Sequence, residues 1–383
     1  MKKYLLLFIL LTLVLKGHAQ KRNNREASLS LVNKVTHISL KAENWEFKPQ
    51  TVDFFEYKSR PVMKLLNSSD PVILKDFNFI DGTIEYDMEP LDPRFTSCYF
   101  RWKDSKESEC FYFRTGRAGN SQAIDAIQYA PIINGVNLWD MLFHYQTNAD
   151  FKKDDWNHVK LVISGKQMRA YVNDTLRPAL EVPMLEGNVT TGTLAFDGKV
   201  IISNLKVKHN SVEGLAPEAG IDPTSVDPRY LRKWQVSSPV TTAKGIDFSD
   251  DYVANADTKW EDITAERRGL INLTRKFGKT EGRRIVWLKT IIHSDKAQDK
   301  ILRFGFSDEV WVVINDRPLY IDKNLYNTPM AKQPDGRCSI ENTSFKVPLK
   351  EGDNQLLVGV SNFFYGWGIV ARLDNLDGIK IEK

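Results

Sequence analysis

From about residue 30 to the C-terminus the chain is written in short runs of β-branched and aromatic residues, each closed by Gly, Asn, Asp or Pro. In the first half the runs include GTIEYDM (82–88), SCYFRW (97–102), CFYFRT (110–115), HVKLVIS (158–164), TGTLAFD (191–197) and KVIISNLKVK (199–208). In the second half they include RRIVWLKTIIHS (283–294), KILRFGFS (300–307), VWVVIND (310–316), NQLLVGVSN (354–362) and GIVARLDN (368–375). Alternate residues of a strand share one face, so such runs bury an apolar side only by packing sheet on sheet. Helical periodicity is nearly absent; a short helix is expected near Asp262–Leu270.

This pattern predicts an all-β chain of two tandem antiparallel β-sandwiches, or jelly rolls. The 383 residues suit about two domains. The stretch 209–228, HNSVEGLAPEAGIDPTSVDP, breaks the strand pattern with three prolines and two glycines and reads as a linker or strap. The expected units are sandwiches at 30–208 and 229–383, each stable by itself, with 209–228 open to proteases.

Residues 1–19, MKKYLLLFILLTLVLKGHA, carry two lysines, an apolar run from Tyr4 to Leu15 and a Gly-His-Ala ending. That is the layout of a signal peptide cleaved before Gln20. The run is shorter than the roughly 20 residues a membrane helix needs, and no later stretch reaches that length. A secreted or periplasmic chain follows. The formal charge of +4 falls to +1 once Lys2, Lys3 and Lys16 of the leader are set aside, which leaves no electrostatic case for nucleic acid or an anionic membrane.

Export permits disulfides, and Cys98, Cys110 and Cys338 are present. Cys98 shares parity with Phe100, whereas Cys110 is opposite in parity to Phe111 and Phe113, so the two sulfurs are expected on opposite sides of a hairpin. No Cys/His spacing suggests zinc. Asp247, Asp250 and Asp251 form the best acidic cluster for a structural calcium; otherwise no cofactor is expected. The histidines His37, His144, His158, His209 and His293 are scattered, and no nucleophile-elbow, zinc-protease or phosphate-loop motif occurs.

Several motifs follow one another in a familiar order: Asp81-Gly82-Thr83-Ile84-Glu85-Tyr86-Asp87, Phe100-Arg101, Trp156-Asn157-His158-Val159-Lys160-Leu161, Ala170-Tyr171-Val172-Asn173-Asp174, Gly192-Thr193-Leu194 and Ile202-Ser203-Asn204-Leu205. On these residues the first half resembles the concanavalin A-like lectin/glucanase (laminin-G-like) superfamily. The second half, through Val310–Asp316 and Gly352-Asp353-Asn354-Gln355-Leu356, resembles the galactose-binding-like jelly roll found as an accessory module in carbohydrate enzymes; Asp316 stands where that family has Gly. The resemblance implies sandwich folds whose functions range from lectins to glycosidases to inert spacers.

Three candidate sites emerge. Glu85, Asp87 and Glu89 match the E-x-D-x-E spacing of family-16 glycoside hydrolases and would line one strand face, where a retaining mechanism needs two carboxyl groups about 5–5.5 Å apart. Tyr86 and Pro90 depart from that pattern, and a solvated acidic face is the plainer reading. Keto-sugar hydrolysis, known in secreted relatives, is a second enzymatic alternative. Its N-terminal and N-S-G motifs are replaced here by Lys41–Phe47 and Thr96-Ser97-Cys98.

The third candidate is a polar-aromatic set, Arg101, Arg114, Asp125, Gln128, Tyr129, Asn134 and Trp139, in a turn-rich segment. Rings stack on sugar C–H faces while planar amide, carboxylate and guanidinium groups fix hydroxyls. Arg114 and Trp139 are expected to contribute more to binding than to stability. The run Phe363-Phe364-Tyr365-Gly366-Trp367-Gly368 cannot point wholly inward, so some of its rings are exposed or bent away. The expectation is an exported, non-catalytic carbohydrate-binding protein with a glycan partner, the alternative being a secreted glycoside hydrolase.

Overall fold

The structure, a computed structural model, describes residues 35–67, 70–242, 252–279, 282–362 and 364–381. The leader, the Asp247/Asp250/Asp251 cluster and Phe363 lie outside them. The described chain is nearly all β, in antiparallel sheets that stack as sandwiches.

Two sheets are built from residues 35–209. The back sheet has eight strands. Its central order is Asn157–Ser164, Gly82–Pro90, Val200–His209 and Arg60–Leu65. The front sheet has nine, centred on Glu107–Arg114, Phe95–Asp104 and Thr193–Gly198, with Ile127–Tyr129 added beside Glu107–Arg114. Strand alternation sorts the side chains. Ile84, Tyr86 and Met88 of the back sheet meet Cys98, Phe100, Phe111 and Phe113 of the front sheet in one core. Each such fully buried large apolar side chain contributes about 1.5–3 kcal/mol. Tyr99, Cys110 and Tyr112 face the other way. Cys98 and Cys110 therefore lie on opposite faces, and all three cysteines are free and buried.

Residues 233–381 build an eight-stranded sheet around Arg284–Ser294, Gly352–Asn362 and Asp308–Ile314. A four-stranded sheet of Leu270–Asn272, Gly368–Leu373, Gln298–Phe306 and Thr343–Leu349 packs on it. The segment expected to be helical near Asp262–Leu270 is instead strand Trp260–Thr264 followed by a 3-10 turn at Arg267–Gly269. Ladder pairing of Asp262 with Gln235 and of Ile263 with Trp234 takes that segment into the sheet. The helix comes later, as the single turn Leu273–Phe277, where the Asn272 side chain accepts from the Arg275 N–H and Gly278 ends it.

The stretch 209–228 is a strap fastened at both ends. Pro217 accepts from the Lys166 N–H at 2.8 Å, and Gly220 donates to Pro183 at 2.8 Å. Arg267 donates to the Gly220 and Ile221 carbonyls at 2.8 Å, and Asp227 bonds Arg229 and Arg372 at 2.8 and 2.9 Å. Beneath it the two pairs of sheets share packing. Leu270, Cys338 and Val370 belong to the same apolar cluster as the first core.

Among the described residues no helix is long and apolar enough to cross a membrane, and no group of three or more His, Cys, Asp or Glu is placed to hold a metal ion.

Candidate functional site: a cleft between the sandwiches

The outward face of the front sheet forms the floor of a cavity of about 520 Å³. Strand register assembles that floor. Asp197 pairs with Ser97, Ser97 with Tyr112, and Tyr112 with Gln128, one row across four strands; Phe95 pairs with Arg114 in the next outward row. The Tyr99 hydroxyl donates to Asp197 Oδ2 at 2.7 Å. Burial, then the Tyr99 bond acting against it, leaves the Asp197 carboxyl above its ordinary range. The Arg114 guanidinium lies over the Tyr112 ring, 5.2 Å from its centroid.

The second sandwich supplies the opposite wall. Tyr326, Phe364 and Tyr365 line the cavity with Trp139. Tyr326 and Phe364 stack with planes 11° apart, and Tyr365 meets Trp139 edge-to-face at 5.7 Å. Tyr326 is 43% exposed and Tyr365 48%, whereas Trp139 is 9% exposed. Backbone bonds hold this wall in place. The buried Asp140 accepts the Gly366 N–H on Oδ2 at 3.1 Å, and its carbonyl accepts the Cys338 N–H at 3.0 Å. A Cβ at residue 366 would sit 2.3 Å from Met141 Cγ and 2.6 Å from Asp140 Oδ1, so only glycine permits the approach.

The seven residues of the polar-aromatic set divide. Arg114 and Trp139 line the cleft. Gln128 stands directly behind it, accepting from Tyr112 and Arg114 at 2.6 and 2.8 Å and donating to the Trp139 carbonyl at 2.8 Å. Asp125 accepts from Arg117 and lends its carbonyl to Arg114. The other three lie elsewhere. Arg101 sits at a bulge with φ 51° that turns it off the outward face, and it bonds the Ile80 carbonyl, Asp81 and the Gly165 carbonyl, each at 2.9 Å. Tyr129 is a core residue whose hydroxyl donates to the buried Glu109 at 2.6 Å. Asn134 donates to the Arg275 carbonyl at 2.9 Å and so joins the two sandwiches.

Glu85, Asp87 and Glu89 are on the outer face of the back sheet, away from the cleft. Glu85 is held by Lys206 at 2.8 Å, Lys208 at 2.7 Å and His158 at 3.6 Å. Asp87 is held by His158 at 2.8 Å and Arg60 at 3.0 Å, and Glu89 by Lys58 at 2.8 Å. Bonds to His158, then to the two lysines, keep Glu85 well below the usual carboxylate range; its partners Asp87 and Glu85 raise His158 to about 9. This is a charge ladder with each carboxylate neutralised.

Cleft residues absent from the candidates read in the sequence include Ser97, Tyr99, Tyr112, Asp197 and Tyr326. The first three were accessible to the parity argument that separated Cys98 from Cys110, carried on to the outward positions of the same hairpin; Asp197 lies on the neighbouring strand Thr193–Gly198.

No protein-family model matches this chain, and no curated protein matches it. Among solved structures, it is similar to a carbohydrate-binding module from Bacillus subtilis at 13% identity, covering 43% of this chain and 95% of that one, with a TM-score of 0.33. It is similar to the Caenorhabditis elegans galectin LEC-6 at 12% identity, covering 45% and 100%, with a TM-score of 0.28. Domain 4 of the Geobacillus stearothermophilus arabinanase AbnA, solved with arabinotriose, is similar at 12% identity, covering 47% and 83%, with a TM-score of 0.29. Each match spans less than half of this chain, and the likeness is one of fold.

Proposed function

We propose that this is an exported, non-catalytic carbohydrate-binding protein whose ligand lies in the cleft between the two sandwiches. The carrying observation is the make-up of that cleft: partly exposed rings from both halves around Arg114, Asn137, Ser97 and Asp197. Sugar rings present apolar C–H faces and a fringe of hydroxyls, and a cleft of this size with ring walls and planar hydrogen-bonding groups matches both. The lining includes one carboxylate, Asp197, where a retaining glycosidase needs two close together. In this reading the concanavalin A-like half supplies the floor, the galactose-binding-like half the wall, and 209–228 ties them together.

Export rests on residues 1–19, and a secreted chain beginning at Gln20 is its direct test. The function is tested by a glycan array probed with the mature chain, followed by a reducing-sugar assay on every hit. Binding without release of reducing ends is expected; no hit on any glycan would end the reading. A hydrolase is the second reading, favoured by the place of the Asp197 carboxyl in the cleft lining, where burial raises it above its ordinary range. Steady release of reducing ends that stops in Asp197→Asn would establish it.

A further inference from the structure

Resting on that glycan-binding reading, we infer that the cleft selects an anionic sugar, one bearing a carboxylate or a sulfate, which docks against the Arg114 guanidinium over Tyr112, with the buried charge of Arg337 beside Trp139 adding to the field. The argument is a charge count around the floor. Arg94 is neutralised by Asp92 through three bonds of 3.0–3.1 Å. Arg117 takes the Asp125 carboxylate at 2.9 Å. That leaves Arg114 3.9 Å from the same carboxylate, with its closer bonds made to neutral oxygens of Asp125, Tyr112 and Gln128.

Arg337, from the second sandwich, has its guanidinium 5.2 Å from the Trp139 ring centroid and is only 4% exposed. Its Nε is buried with no hydrogen-bond partner. Its ion-pair partner, Asp335, is 3.5 Å away and 75% exposed, and so is well screened by water. Burial, and then the nearby charge of Arg114, both disfavour the Arg337 cation, so the two guanidiniums sit within each other's field.

Burial raises both Asp197 and Asp140, the latter to about 7. A buried cation without a full partner is costly, and an anion that enters the cleft relieves that cost. Guanidinium forks suit the planar carboxylate and the sulfate oxygens alike.

The test titrates the wild-type mature chain with three oligosaccharides of equal length: an oligogalacturonate, its fully methyl-esterified form, and a sulfated oligosaccharide. At least one anionic probe is expected to bind tenfold or more tighter than the ester, with the margin shrinking as salt rises. Preference for the uronate identifies the carboxylate as the recognised group, and preference for the sulfated chain identifies the sulfate. Arg114→Gln is expected to bring the anion-to-ester ratio toward one. Equal binding of the ester and both anionic probes overturns the inference and leaves the glycan reading standing. Neutral glycans on the array with no anionic probe bound does the same. Failure of every glycan removes both.

Discussion

The Trp139 ring meets the Tyr326 ring edge-to-face with centroids 4.7 Å apart, joining residues 187 positions apart in the chain at the edge of one cleft. The first ring comes from a turn of the first sandwich, the second from a loop of the other. The proposed binding site and the cohesion of the two halves thereby share contacts.

The two rings differ in what their removal reports. Against the expectation that Trp139 contributes more to binding than to stability, it is buried against Tyr326, Tyr365 and Arg337, so Trp139→Ala is expected to cost about 3–5 kcal/mol of stability. Tyr365 is half exposed, and Tyr365→Ala is expected to cost about 1 kcal/mol, the worth of its edge-to-face contacts. Thermal melts of the two variants check this. A melting temperature in Trp139→Ala equal to that of Tyr365→Ala would be incompatible with the packing described.

The back-sheet carboxylates have a structural role. Glu85→Gln leaves Lys206 and Lys208 without their acid, while His158 keeps Asp87, and is expected to lower stability by about 1–3 kcal/mol while glycan affinity stays within twofold. His158 adds a pH dependence. Its pKa is raised from an ordinary 6.5 to about 9, so its contribution is complete below 6.5 and is lost as pH rises through 9. Denaturant titrations from pH 6 to 10 should show a decline that disappears in His158→Gln; an unchanged slope in the variant would remove His158 as its source.

Asp140 works in the opposite sense. Burial lifts its pKa from 3.8 to about 7, so between those values the folded chain holds a proton that the unfolded chain has released. Stability from this group falls as pH rises from about 4 to 7, and the charged form is a full cost above 7. Asp140→Asn keeps an acceptor for the Gly366 N–H and is expected to gain about 1 kcal/mol at pH 8 and little at pH 5. Calorimetry at the two pH values decides it, and equal effects at both would count against a titrating Asp140.

Much of the fold was legible in the sequence because strand alternation is a local property. The hairpin of Phe95–Asp104 and Glu107–Arg114 shows it. The parity of Cys98, Phe100, Phe111 and Phe113 predicted which side chains share the core, and the structure has that arrangement. Parity fails at Arg101, where a bulge shifts the register, and a bulge leaves no clear trace in residue type. The candidate site was half legible. Arg114 and Trp139 stand in a segment whose composition marks it, and Phe364 and Tyr365 in a run with too many rings to bury. The meeting of those two segments depends on how one sandwich docks on the other. That docking is carried by single bonds such as Asp140 to Gly366, which no periodicity encodes.

The strap changes what proteolysis should report. Its carbonyls and Asp227 are engaged with both halves, so residues 209–228 are expected to resist cleavage in the native chain. A 30–208 fragment made alone would expose the surface covered by Leu270, Cys338 and Val370 and is expected to melt below the intact chain. Rapid clipping within the strap, yielding two halves that melt as the intact chain does, would show the boundary to be loose.

The central claim, a glycan site shared by the two sandwiches, is tested most directly by calorimetric titration of an array-selected glycan into wild type and Tyr326→Ala. Tyr326 belongs to the second sandwich alone, is 43% exposed, and lines the cleft floored by the first. The account predicts at least a tenfold loss of affinity, about 1.4 kcal/mol, alongside a stability loss of only about 1 kcal/mol from its ring contacts with Trp139 and Phe364. Wild-type affinity in Tyr326→Ala would contradict it, placing the ligand on one sandwich and outside the cleft.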